Sequence, residues 1–147
     1  MLVLGVGNRT RGDDGVGPCI AEQVAALGLP GVEVVVESEP LALIELMAGH
    51  DVVVVVDAVS AQGDPGRIHV WPVDSLPVRG TGRAIGSHGL GVRDAVELAR
   101  ALGRLPDRLT VVGVEGESFE VGTPVSGPVR ERLGEAVQAV RKACLTT

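Results

Sequence analysis

The chain predicts an α/β fold: a mostly parallel, twisted sheet of about five strands with helices on both faces. Three observations carry that prediction. Segments with strand character alternate with segments of helical spacing. Val52 to Val56 is an unbroken run of valine, the pattern of a strand buried on both sides. That run ends in Asp57, and a second apolar segment, Met1 to Val6, likewise leads into an acid-bearing stretch, Gly7 to Gly15. A carboxylate is costly inside a core. It belongs at the carboxyl edge of a parallel sheet, where ligand crevices open.

The elements follow in order. Residues 1–6 read as a strand. Val16 to Leu27 reads as a helix, with Val16, Ile20, Val24 and Leu27 on one face. Pro18 lies in its first turn, and Gly28-Leu29-Pro30-Gly31 ends it. Val32 to Glu37 is a second strand. Leu41 to Ala48 is a short helix between Pro40 and Gly49, and Asp51 to Asp57 is the third strand. Gln62 to Gly66 is turn chemistry, and Ile68 to Trp71 is a brief strand expected at an edge. Residues 72–88 carry several prolines and glycines together with Arg79 and Arg83. An irregular stretch of that length is usually functional or mobile. Gly89 to Leu102 returns to helical spacing through Val92, Ala95, Val96 and Ala99. Leu109 to Val114 is the last strand. After a polar connection, Pro128 to Cys144 is a closing helix with Val129, Leu133, Val137, Val140 and Cys144 on one stripe.

Bulk properties narrow the class. At 147 residues, with no internal repeat or linker, residues 1–147 are expected to form a single domain. One Trp, one Phe and no Tyr leave a core of Val, Leu, Ala and Ile, and no stacking platform for single-stranded nucleic acid. A net charge of −6 argues against binding a phosphate backbone, so no nucleic-acid partner is expected. No apolar run approaches the roughly 20 residues that span a bilayer, so no membrane partner is expected either. The first strand has no basic region before it, unlike a signal peptide. Cys19 and Cys144 form no CxxC pair and no zinc spacing, which points to a reducing, cytoplasmic setting.

The Gly5-Val6-Gly7 turn suggests dinucleotide binding but fails on spacing, because Thr10 stands where the third glycine belongs. Asp13 and Asp14 would also repel a pyrophosphate from the helix start. One of these two acids can cap the helix; the other is left to face the crevice. Asp57 could merely bond the loop that follows it, but its place at the end of the most buried strand favours a site. Of the three histidines, His50 reads as a surface residue and His69, between Ile68 and Val70, as solvent-facing. His88 closes the irregular stretch and opens a helix, which makes it the better candidate. Asp14, Asp57 and His88 together offer two carboxylates and an imidazole, a ligand set suited to a mid-row divalent metal with open positions.

Several motifs then agree in series. Gly5-Val6-Gly7-Asn8 with Asp13-Asp14-Gly15-Val16-Gly17, Val56-Asp57-Ala58 and Ser87-His88-Gly89-Leu90-Gly91 recur in order. So do Leu109 to Val114, Glu117-Ser118-Phe119-Glu120 and Gly122-Thr123-Pro124-Val125. The set resembles the hydrogenase maturation endopeptidases over nearly the whole chain. The resemblance implies a three-layer α/β/α sandwich. It implies an endopeptidase that removes the C-terminal extension of a nickel–iron hydrogenase large-subunit precursor, its partner. It places Asp14, Asp57 and His88 on the family's metal-engaging and catalytic positions. The Ni2+ they meet would come with the precursor, so that metal loading licenses the cut. Glu37-Ser38-Glu39-Pro40 departs from the Asp-Gly-Gly-Thr stretch of many members, which bears on which precursor is taken.

The chemistry stays open at this level. Metal could polarise the scissile carbonyl or acidify a water, or it could only position the peptide while a carboxylate acts as base. A carboxylate that ligates a cation is a poor base, so metal recognition is the favoured role for the acids and the base is unassigned. The stretch 72–88, with Arg79 and Arg83, is expected to order on the precursor tail. The competing expectations are a noncatalytic metal chaperone or scaffold using the same residues, and a small-molecule or nucleotide-binding α/β domain.

Overall fold

The computed structural model describes residues 1–60, 62–77 and 91–146. They form a five-stranded sheet in the order β2-β1-β3-β5-β4. The strands are β1 (Leu2–Val6), β2 (Glu33–Glu37), β3 (Val52–Val59), β4 (Ile68–Pro72) and β5 (Arg108–Glu115). β2, β1, β3 and β5 run parallel, and β4 pairs antiparallel with β5 at the edge. Edge placement suits β4, which ends in Pro72, a residue with no N–H for a second neighbour.

Helices cover both faces. α1 (Val16–Ala26), α4 (Gly127–Glu131) and α5 (Leu133–Leu145) share a core with Val3, Val54, Val56 and Ala58. α2 (Ala42–Met47) and α3 (Val92–Ala101) share the opposite core with Leu2, Leu4, Val53, Val55 and Val111. Alternate residues of β1 and β3 thus enter alternate cores, as a pleated strand with two apolar faces requires. Burying each aliphatic side chain stabilises the sandwich by about 1.5–3 kcal/mol. Among the described residues no helix is long and apolar enough to cross a membrane.

Three expectations change in detail. The closing helix is broken at Arg132 (φ −106°), where the side chain bonds both Asp64 and Glu135, and α4 and α5 result. Leu27 lies just past α1 and is 45% exposed, so its face of the helix ends at Val24. β3 continues two residues past Asp57, because Ala58 and Val59 still pair with Val114 and Glu115 of the long β5.

Candidate active site

The strand order locates the crevice. β1 leads outward to β2, and the chain then returns past β1 to lay down β3 on its other side. In such a sheet the ligand cleft opens beyond the carboxyl ends of the two strands at the reversal. Those strands are β1 and β3, and they are the two that supply Asp14 and Asp57.

Asp14 arrives there because α1 lies unusually close to the sheet. A Cβ on Gly17 would stand 2.3 Å from the Val6 carbonyl oxygen and 2.7 Å from that of Val56. Only glycine permits that contact. Gly7 has φ 146°, and a Cβ there would fall 1.8 Å from the Asp14 carbonyl oxygen, so the turn after β1 can fold onto the start of the helix. The Asn8 N–H then donates to Asp14 Oδ2 at 2.8 Å. Burial pushes the Asp14 carboxyl above the usual carboxylate range, against the downward pull of that bond and of the Arg11 guanidinium.

Asp57 is 4% exposed and belongs, by the alternation of β3, to the face covered by α2 and α3. The adjacent Ala58 N–H donates to its Oδ1 at 2.9 Å. Burial, then the nearby Asp14 charge, raises the Asp57 carboxyl well above its ordinary range, and the Ala58 bond offsets little of this. The structure therefore brings two buried acids from opposite sides of the sheet within electrostatic reach of each other. A dication would relieve both the burial and the repulsion, and all-oxygen donors of this kind suit one.

Asp13 has a different task. Its carboxylate accepts hydrogen bonds from the N–H groups of Glu117, Ser118 and Ser126 and from Ser126 Oγ, at 2.7–3.1 Å. Neither acid caps α1 with its side chain. Asp13 instead fastens the loop after β5 to the turn after β1, leaving Asp14 for the crevice.

The histidines part company. His88, Arg79 and Arg83 lie outside the described residues, as does most of the stretch 72–88. Among the described residues no three metal-binding side chains cluster. His50 is partly covered, its ring against the Leu46 carbonyl and the Glu33 carboxylate. His69 is not solvent-facing as its neighbours suggested: Nε2 lies 3.0 Å from Oε2 of Glu115, whose side chain is fully buried. Sequence reasoning missed Glu115. The signal was present, since Glu115 follows the apolar Leu109–Val114 run as Asp57 follows Val52–Val56.

Comparison with known proteins agrees with this fold. A family model described as hydrogenase maturation protease matches residues 34–143. The hydrogenase 2 maturation protease of Escherichia coli K12 is 31% identical over 147 residues, covering 97% of this chain and 89% of that protein. The hydrogenase expression/formation protein HupD of Rhizobium leguminosarum bv. viciae is 30% identical over 146 residues, covering 96% and 72%. The solved hydrogenase maturating endopeptidase HybD from E. coli superposes with a TM-score of 0.80 at 29% identity, covering 97% of this chain and 90% of that one.

Proposed function

The chain belongs to the hydrogenase maturation protease family, endopeptidases that cut the C-terminus of a hydrogenase large subunit, and we propose that it selects its precursor by the nickel ion the precursor carries. The observation that supports this reading most is the pairing of Asp14 with Asp57 at the strand reversal. Two carboxylates whose proton affinity is raised by burial, and in Asp57 also by the Asp14 charge, form a site primed for a cation. His88, on the family's histidine position, is the proposed third contact.

The nickel is part of the substrate. When seated it would polarise a carbonyl or acidify a water. The chain's own residues do the rest. Asp14 and Asp57 hold the loaded precursor and orient it at the crevice. Asp13 keeps the turn that carries Asp14 fixed to the loop after β5. Carboxylates engaged with a cation are weak bases, so proton transfer is assigned to neither. Cys19 and Cys144 are free thiols, which suits the cytoplasm as the site of reaction.

The test is trimming itself. Purified chain is incubated with nickel-loaded and nickel-free precursor, and the large subunit is weighed by mass spectrometry. Loss of the C-terminal segment from the loaded form alone supports the proposal. Equal trimming of both removes nickel recognition. Tight association with the loaded form without shortening favours the scaffold reading.

A further inference from the structure

The chain's one tryptophan leans over Gly113, the register partner of Asp57, and a buried acid with its imidazole partner holds it there. Asp57 of β3 and His69 of β4 are both register partners of Gly113 in β5, so the three form one row across the sheet. Gly113 has no side chain to fill the middle of that row. A Cβ there would meet Trp71 Cζ3 at 2.6 Å and Val59 Cγ1 at 2.9 Å. The indole thus leans over Gly113, one strand across from Asp57 in the same row.

The indole is clamped from its other side. Its ring stacks on the His69 imidazole with centroids 5.0 Å apart and planes 6° from parallel. His69 is fixed by Glu115 in turn. Burial opposes ionisation of Glu115, but His69 and the N–H groups of Gln62 and Asp64 hold its carboxyl below the usual range. An ionised carboxylate only accepts, so His69 carries its proton on Nε2 and donates. Trp71 packs on the core yet stays partly uncovered, leaving surface for a bound chain. Large, rigid aromatic surfaces of this kind anchor partners at little entropic expense.

We infer that Trp71 is a specificity-determining wall of the cleft, against which the precursor segment carrying the cut bond packs, and that Glu115 and His69 are its positioning residues. This rests on the proposed nickel-dependent trimming. The wall binds, and it takes no part in bond breaking.

Trimming kinetics on nickel-loaded precursor test it with Trp71→Ala, Trp71→Leu, Trp71→Phe and His69→Gln. Trp71→Ala should raise KM about tenfold or more with kcat within about threefold, the signature of lost binding. Trp71→Phe should stay within about threefold of wild type. His69→Gln should raise KM less, and it should shift the emission of the single tryptophan to the red as the indole loosens. A folded Trp71→Ala enzyme with unchanged KM overturns the inference. If that variant does not fold, unchanged KM in Trp71→Leu does the same. Wild-type KM and emission in His69→Gln overturn the clamp. Failure of the wild-type chain to trim instead refutes the proposed function, and this inference with it.

Discussion

Asp13 and Asp14 are consecutive, buried and acidic, yet their carboxylates answer to different parts of the molecule. Asp13 receives the backbone of the loop after β5, whereas Asp14 receives the Asn8 N–H and turns its charge on Asp57. Replacing Asp13 with Ala leaves several part-buried donors without their acceptor at once. A loss of about 3 kcal/mol or more follows. Chemical denaturation should show it, with trimming reduced even where the chain is still folded because the turn bearing Asp14 is released. A change below about 0.5 kcal/mol would mean that the loop is held by something else.

Asp57 should behave in the opposite sense. Its folded carboxyl binds a proton more tightly than the unfolded chain does. Its contribution to stability is therefore full below the ordinary value of 3.8 and is lost as pH rises through the raised value. Once ionised above that raised value, the buried carboxylate is a liability, and there Asp57→Asn should raise stability by about 1 kcal/mol, a shift of about 2–4 °C in Tm. The same variant should lose trimming. A lower Tm would contradict the electrostatic account.

Glu115 gives the reverse pH dependence. Its folded carboxyl is lowered, so its contribution is present above the ordinary 4.5 and is lost as pH falls through the folded value. Glu115→Gln should be less stable at pH 7 by about 1–2 kcal/mol, the scale of losing charged hydrogen bonds. The gap to wild type should narrow as pH drops below about 4.5. Melting curves from pH 7 to pH 3 decide it, and a gap that does not change with pH would remove the role of the charge.

The main elements and Asp57 were legible because burial on two faces leaves a pattern that local chemistry cannot mimic. The valines of β3 have one reading, and an acid after them has few. Asp13 and Asp14 were legible only as a pair: their division of labour depends on Glu117, Ser118 and Ser126, more than 100 residues away in the chain. His69 misled because alternation in an edge strand tells which residues share a face, not what covers that face. Its cover is Glu115, which a reader attending to the end of β5 could have found. The break at Arg132 was hidden for the same reason, since the acid it bonds, Asp64, comes from a distant turn.

The central claim is that Asp14 and Asp57 act together on one ion. A double-mutant cycle on kcat/KM for nickel-loaded precursor, using Asp14→Asn, Asp57→Asn and the double variant, tests it most directly. Each single change should lower kcat/KM by about 100-fold or more, and the double should be little worse than either, because residues acting as a unit are lost together. Losses that multiply, or a single variant that trims at the wild-type rate, would contradict the shared site.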